Sequence, residues 1–124
     1  MAEMSDFDLD FSYGLGGEQL VKDILTGGTT VEVKRDRRWV ETGNIYIETS
    51  MYSRATHKWV ESGLMTTKAD RWAFVLERLV VIITVIDLKN AVDMFGRPIA
   101  NEQEPNPSKG FLIRVDDLMK VQRV

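Results

Sequence analysis

Three charged residues at alternating positions of two strand-like segments are the part of the sequence best suited to chemistry. Glu32 and Lys34 lie in the first segment and Glu48 lies in the second. Side chains at alternate positions of a strand share one face. Folding the two segments as a hairpin about Val40 predicts that Glu32 lies opposite Glu48, with their Cβ atoms ~5 Å apart. Because like charges directly opposite are destabilising, this register predicts compensation by Lys34 or by a divalent cation.

Carboxylates that converge with a lysine can form a magnesium site, which polarises a phosphate and activates a water molecule. Glu18 supplies a third carboxylate, because it lies on the same side of a predicted helix as Val21 and Leu25. Asp36 is a further candidate ligand. Two simpler interpretations stay open. The strands can carry a solvated polar face with ordinary cross-strand ion pairs, and Glu18 can serve the helix dipole.

A basic cluster adjoins these acids. It consists of Lys34, Arg35, Arg37 and Arg38, and Trp39 follows directly. Guanidinium groups suit phosphates that flank a reaction site, and an indole suits stacking on a base. A solvated loop is the simpler interpretation of the same residues. The cluster therefore indicates local contact with nucleic acid without requiring it.

The composition narrows the possible chemistry. The chain of 124 residues has a formal net charge of -3, no cysteine and one histidine. Disulfide scaffolds, thiolate zinc sites, iron–sulfur clusters, cysteine nucleophiles and multi-histidine metal sites are therefore excluded. Any metal ion must bind oxygen ligands, which favours a hard cation such as magnesium. The mild acidity argues against non-specific coating of nucleic acid and is compatible with local contact.

The chain divides into an acidic N-terminal arm, residues 1–15, and a single domain, residues 16–124, of ordinary domain size. The arm lacks the basic, apolar and small-residue pattern of a signal peptide. The longest apolar-rich run, Leu79–Ile86, is too short to span a bilayer. We therefore expect no membrane association and a cytoplasmic location.

Hydrophobic periodicity and turn residues indicate the elements that position these groups. The predicted helices are Glu18–Leu25, Asp87–Phe95 and Asp116–Val121, with a helical turn at Ala69–Arg71; the predicted strands are Thr29–Asp36, Asn44–Ser50, Lys58–Leu64, Trp72–Leu76, Leu79–Ile86 and Phe111–Val115; Asn101–Lys109 is a predicted loop. This order predicts an α/β or α+β single domain with a mixed sheet. The apolar residues of the first two strands restrict the hairpin register, although a shift of two residues keeps the same faces.

A helix glutamate followed by a Glu-x-Lys strand resembles the PD-(D/E)xK nuclease superfamily, which includes restriction endonucleases and Holliday-junction resolvases. The small nuclease-like proteins of bacteriophages are more similar still. The motifs that carry the likeness are Gly17-Glu18 with Leu20-Val21, Val31-Glu32-Val33-Lys34-Arg35-Asp36, Thr42-Gly43-Asn44-Ile45-Tyr46-Ile47-Glu48, Ser62-Gly63-Leu64, Thr66-Thr67 and Ala69-Asp70-Arg71-Trp72.

The resemblance implies a restriction endonuclease-like fold, in which helices flank a mixed central sheet. It also implies hydrolysis of DNA phosphodiester bonds with magnesium or manganese. By position, Glu18 matches the helix carboxylate, Glu32 matches a metal-binding carboxylate, and Lys34 matches the catalytic lysine. The lysine would orient or deprotonate the attacking water, or stabilise the charge of the transition state.

Two mappings of the motif fit this chain. In the first, Glu32 takes the place of the usual Asp, Glu48 is the second carboxylate, and Lys34 substitutes for a lysine otherwise expected at Ser50. In the second, Glu32-Val33-Lys34 is itself the Glu-x-Lys motif, and Glu48 or Asp36 supplies the missing acid. The first mapping matches the order of the strands better.

The same resemblance implies DNA as the partner, with Arg35, Arg37, Arg38 and Trp39 as contacts. Selectivity for branched DNA, as in the Holliday-junction resolvases, and a homodimer follow by the same analogy. The alternative is a catalytically inactive protein of the nuclease fold that binds DNA or acts as a phage interaction protein.

Overall fold

The computed structural model describes residues 19–36 and 39–121. In this part of the chain the strands are β1 (Val31–Arg35), β2 (Asn44–Ser53), β3 (Lys58–Glu61), β4 (Arg71–Leu76), β5 (Leu79–Thr84), β6 (Arg97–Asn101) and β7 (Ser108–Arg114). The helices are α1 (residues 19–26), α2 (Trp39–Thr42), α3 (Val85–Phe95) and α4 (Val115–Leu118), and a 3₁₀ turn spans Gly63–Met65. The expected α+β class is confirmed. The acidic arm, Glu18, Arg37 and Arg38 lie outside the described residues, so the expectations attached to them stay predictions.

The strands form two sheets rather than one. The smaller sheet has the order β1-β4-β5, with β1 parallel to β4 and β4 antiparallel to β5. The larger sheet has the order β3-β2-β7-β6, and its neighbouring strands are antiparallel. A β-bulge interrupts the pairing of β2 with β7 between Glu48 and Ser50. The mixed pairing that the sequence predicts is therefore confined to the smaller sheet.

One hydrophobic cluster joins both sheets to α3 and α4. Its members are Ile45, Ile47, Leu64, Trp72, Phe74, Leu76, Ile83, Leu88, Ala91, Val92, Ile113 and Leu118. Alternation along β2 and β4 directs every second side chain into this cluster, and helical spacing does the same along α3. Full burial of one large side chain contributes roughly 1.5–3 kcal/mol. β2 contributes to this core directly, and β1 is attached to it through its pairing with β4; these two strands carry the candidate site.

The hairpin predicted from the first two strands is wrong. β1 pairs with β4, and Glu32 lies opposite Trp72. β2 pairs with β3 and β7, and Glu48 lies opposite Gly110. The two glutamates therefore belong to different sheets and are not cross-strand neighbours.

The apolar residues of the two strands explain the error. Val33 of β1 is 66% exposed, whereas Ile47 of β2 is fully buried, so they do not pack together. The connecting segment contains α2 and ends at Gly43, whose φ of 72° lets the chain turn into the larger sheet. Alternation shows which residues share a face, but it does not identify the partner strand.

Three local expectations also change. The sequence does not predict β6, because Gly96 and Pro98 are interpreted only as the end of the preceding helix; β6 is an edge strand, where proline is tolerated. The helical turn predicted at Ala69–Arg71 does not form. Asp70 N instead donates to Thr30 O at 3.0 Å, and β4 begins at Arg71. α3 begins at Val85, two residues before the predicted start at Asp87, and Thr84 is its N-cap.

Candidate functional site

A short turn from Ser62 to Thr67 joins the two glutamates that the sequence singles out. Ser62 Oγ donates to Glu48 Oε2 at 2.8 Å, and Thr67 Oγ1 donates to Glu32 Oε1 at 3.3 Å. The turn is closed by Thr67 N, which donates to Gly63 O at 3.0 Å. Glu32 and Glu48 are thus brought to one turn by a route other than the predicted hairpin.

Gly63 allows this turn to lie directly against β2. Its φ is +55°, and a Cβ at this position would lie 2.2 Å from the carbonyl oxygen of Glu48. Next to it, Ser62 N donates to Thr49 O at 3.0 Å. Glycine is the residue that permits both the left-handed conformation and this close approach. The Ser-Gly pair therefore positions the Ser62 hydroxyl on Glu48.

Lys34 and Glu32 form an ion pair on the face of β1 that is directed at Trp72. The distance from Lys34 Nζ to Glu32 Oε2 is 2.9 Å, and the distance from Lys34 Nζ to the centroid of the Trp72 ring is 4.9 Å. Trp72 is 2% exposed, whereas the side chains of Lys34 and Glu32 are 42% and 35% exposed. A fixed indole therefore supports a charged pair that solvent and ligands can reach.

Thr67 holds the other side of Glu32. Its hydroxyl accepts hydrogen bonds from Trp72 Nε1 at 3.1 Å and from Ala69 N at 3.2 Å. A hydroxyl has two acceptor sites and one proton, so with both sites in use its proton is directed at Glu32. The Glu32 carboxylate is thus held by an ammonium and a hydroxyl, and both belong to side chains.

The chemistry of this cluster suits a hard cation. Glu32, Glu48, Ser62 and Thr67 offer carboxylate and hydroxyl oxygens, the kind of atom that binds magnesium. Within residues 19–36 and 39–121, no group of three or more His, Cys, Asp or Glu side chains is arranged to hold a metal ion. A third carboxylate from Glu18 would come from outside these ranges.

Asp36, which the second mapping offers as the missing acid, hydrogen-bonds to the backbone of β2, and its role as a metal ligand stays a prediction. Its Oδ2 accepts a hydrogen bond from Tyr46 N at 3.0 Å and so ties the end of β1 to β2. Glu32 lies four residues earlier, which corresponds to ~13 Å along an extended chain. The structure therefore assigns Asp36 to the junction of the two sheets, and Glu48 is the acid that lies at the turn.

Tyr46 is a neighbour of the site that the sequence did not single out. Its hydroxyl lies 2.7 Å from Ser108 Oγ on β7. Burial raises the pKa of Tyr46, the hydrogen bond with Ser108 opposes this rise, and the negative charge of Glu48 adds to it. The phenol therefore stays protonated and keeps its ability to donate. In the pairing of β2 with β7, Tyr46 lies opposite Leu112, so its hydroxyl reaches Ser108 diagonally, and no local sequence signal predicts this contact.

Of the residues predicted to contact DNA, Arg35 and Trp39 lie within the described ranges. Arg35 ends β1 and is exposed, whereas Trp39 packs against the core, and its buried indole N–H meets no acceptor within the described ranges.

The exposed indole is that of Trp59, at 41% exposure. Lys109 Nζ lies 4.2 Å from the centroid of the Trp59 ring, and Tyr52 contacts the same ring edge-on at 5.7 Å. Trp59 is thus better placed than Trp39 to stack on a base.

Comparison with protein-family models, with curated proteins and with solved structures finds no match for this chain. Among the helices of the described residues, none combines the length and the apolar character needed to cross a membrane.

Proposed function

We propose that this chain is a metal-dependent endonuclease that hydrolyses DNA phosphodiester bonds. The Ser62–Thr67 turn carries the proposal, because it hydrogen-bonds to Glu48 and to Glu32, and Glu32 is paired with Lys34. The likeness of the Glu-x-Lys strand to the PD-(D/E)xK nucleases supports the same reaction. Selective cleavage of branched DNA, as by the Holliday-junction resolvases, is one form that this activity can take.

In this proposal Glu32 and Glu48, together with Glu18, hold a magnesium or manganese ion. The ion supplies positive charge at the scissile phosphate and a bound water of lowered pKa. Lys34 is bonded to Glu32 and half-exposed, so its ammonium is available to donate to a phosphate oxygen or to the attacking water.

Thr67 and Trp72 act as positioning residues. Trp72 is fixed in the core and donates to the Thr67 hydroxyl, which in turn donates to Glu32. The same indole ring lies beneath the Lys34 ammonium. Both reactive groups are therefore oriented by one rigid side chain, which lowers the entropy lost when they engage a substrate.

DNA contacts beyond the reacting phosphate are part of the same proposal. Arg35 is exposed beside Lys34, and Arg37 and Arg38 follow it in the sequence. Guanidinium groups bind phosphates and fix the position of a protein on nucleic acid. We also propose a cytoplasmic location and a homodimer. Sedimentation of the purified protein will test the homodimer.

The decisive experiment is a cleavage assay with the purified full chain. Supercoiled plasmid, linear duplex and a four-way junction are incubated with magnesium, with manganese or with EDTA. We expect cleavage with either metal and none in EDTA. Glu32→Gln and Lys34→Gln remove charge at nearly constant size, and we expect each to lower the cleavage rate at least about 100-fold.

Glu102→Gln is the matched control, because Glu102 is exposed in the loop between β6 and β7. This variant should cleave at the wild-type rate. Absence of cleavage of all three substrates by the wild type in both metals would show that the proposal is wrong.

A protein that binds DNA without cutting it is the second candidate, and the Trp59 surface favours it. An exposed indole with a lysine over its ring suits base stacking and phosphate contact without any catalytic group. This candidate predicts salt-dependent DNA binding that persists in Glu32→Gln and weakens in Trp59→Ala. Binding by the wild type with no cleavage in either metal would select it over the endonuclease.

A further inference from the structure

A cavity of about 510 Å³ opens beside Lys34, where the end of β1 meets β2 and the edge of the larger sheet. Its lining includes Lys34 from β1, Asn44 from β2 and Phe74 from β4, together with Ile99, Asn101 and Leu112 from β6 and β7. Small-molecule sites typically enclose ~300–1,000 Å³ and combine apolar walls with a few polar groups. The cavity has both the size and the mixed lining of a ligand site.

The lining matches the chemistry of a nucleobase. Ile99 and Leu112 present apolar surface, which suits the face of a base, whereas Phe74 also lines the cavity but is a core residue that is 1% exposed. Asn44 Oδ1 accepts from Arg97 Nη2 at 3.0 Å, and Asn101 Oδ1 accepts from Gln103 N at 3.2 Å. With each carbonyl oxygen engaged, the amide nitrogens remain as donors for acceptor atoms on the edge of a base.

Lys34 connects this cavity to the candidate site. Its ammonium is bonded to Glu32, and its side chain also lines the cavity. Arg35 and Asp36 line the cavity as well, and the Asp36 carboxylate accepts a hydrogen bond from Tyr46 N. A nucleotide whose base occupies the cavity would therefore have its phosphate near two cations, on the side that leads to Glu32.

We infer that the cavity receives one unpaired nucleotide of the DNA substrate, and that this nucleotide places its phosphate at Lys34. The inference rests on the proposed function and names its substrate class: DNA with an unpaired or flipped nucleotide at the cleavage site, as found at overhangs, bulges and branches. A base inside a continuous duplex reaches such a cavity only after it leaves the stack, which disfavours fully paired DNA.

Binding of labelled oligonucleotides to the full chain tests this inference, with calcium replacing magnesium so that binding is measured by fluorescence anisotropy without cleavage. Three ligands differ at one position: a fully paired duplex, the same duplex with a one-nucleotide bulge, and that duplex with an abasic bulge. We expect the bulged duplex to bind about tenfold more tightly than the other two. The paired duplex offers no unpaired base to the cavity, and the abasic bulge has no base to bury there.

Ile99→Trp tests the location of the site. Ile99 lies on an edge strand and is 40% exposed, so a larger side chain fits the fold and fills the cavity. We expect this variant to bind the bulged and paired duplexes with equal affinity. Ile86→Trp is the matched control, because Ile86 on α3 is 69% exposed and is not part of the cavity lining.

Each outcome supports or overturns at least one of the two proposals. Equal affinity of the wild type for all three ligands, or a bulge preference that persists in Ile99→Trp, overturns the inference while leaving the endonuclease proposal to its own cleavage assay. Loss of cleavage in Glu32→Gln with an intact bulge preference supports both. Absence of binding to every DNA ligand overturns both.

Discussion

Two carboxylates associated with the same parallel strand pair have different partners. Asp70, just before β4, accepts from Thr30 N at 3.1 Å and from the Thr30 hydroxyl at 3.1 Å. Glu32, on β1, is held by the Lys34 ammonium and the Thr67 hydroxyl. A bond to the backbone is given up only when the strand pair opens, whereas bonds between side chains can be exchanged for a ligand. The difference separates a carboxylate that serves the fold from one that is available for chemistry.

The pKa of Asp70 reflects this difference. The backbone N–H of Thr30 lowers the pKa of Asp70 most, its hydroxyl comes next, and Thr29 and Arg71 add to the effect, while slight burial opposes it. The folded chain therefore favours the ionised form of Asp70. Val85 N also donates to the carbonyl oxygen of Asp70, at 2.9 Å, so this residue links β1 to the start of α3.

The largest expected contrast comes from neutralising each carboxylate in turn. Glu32→Gln should lower DNA cleavage at least about 100-fold with little change in the melting temperature. Asp70→Asn should lower the melting temperature, because it weakens the acceptor for Thr30, and should leave cleavage by the folded protein unchanged. Paired cleavage and thermal unfolding measurements check this. A large loss of cleavage in Asp70→Asn at a temperature where it is folded would contradict the separation.

Gly63 offers the next largest effect, because it sets the distance between the turn and Glu48. Gly63→Ala introduces a Cβ 2.2 Å from the Glu48 carbonyl oxygen, whereas the same change at Gly27, also at positive φ, meets no atom within 4 Å. The left-handed backbone strains both variants equally. Denaturant unfolding should show that Gly63→Ala loses at least about 2 kcal/mol more than Gly27→Ala. Equal losses of unfolding free energy in the two variants would show that the turn shifts away from Glu48 and relieves the clash.

The pH dependence of stability gives a smaller and more specific effect. Because the pKa of Asp70 is lower when folded than when unfolded, its contribution is present above the unfolded pKa of ~3.9 and is lost as the pH falls through the folded value. The difference in melting temperature between wild type and Asp70→Asn should therefore be constant near neutrality and shrink below pH ~4. A difference that persists at pH ~2 would assign the effect to something other than ionisation.

The sequence singled out three residues that the structure brings to one turn, but it predicted the wrong strand pairing for them. Glu32, Lys34 and Glu48 were selected by residue type and alternation, which depend on local chain geometry. The hairpin depended on strand pairing, which is non-local: β1 finds its partner in β4, some forty residues later in the sequence. Ser62 and Thr67 were therefore missed as neighbours of the glutamates, although Ser62-Gly63 and Thr66-Thr67 were visible as motifs.

Burial shows why the structure favours a different indole. Trp39 stands beside a basic cluster and is predicted to contact DNA, but its side chain is partly buried against the core, and the contact stays a prediction. Trp59 directly follows Lys58 in the sequence, but the lysine that lies over its ring is Lys109, which comes from β7. Which indole faces solvent depends on how the two sheets meet, and composition near each residue carries no information on that.

The smallest expected effect concerns the stability contributed by the Lys34–Glu32 pair. Lys120 has the same two kinds of partner, with Nζ 2.8 Å from Asp117 Oδ1 and 5.3 Å from the centroid of the Phe95 ring. Exposed ion pairs and cation–π contacts each contribute well under a few kcal/mol, so Lys34→Gln and Lys120→Gln should each lower the free energy of unfolding by about 1 kcal/mol. Denaturant unfolding checks this equality, and the cleavage assay should then separate the two variants, since the loss is expected in Lys34→Gln alone. If Lys34→Gln instead lowered the free energy of unfolding by several kcal/mol, Glu32 and Lys34 would be residues that stabilise the fold, as Asp70 is.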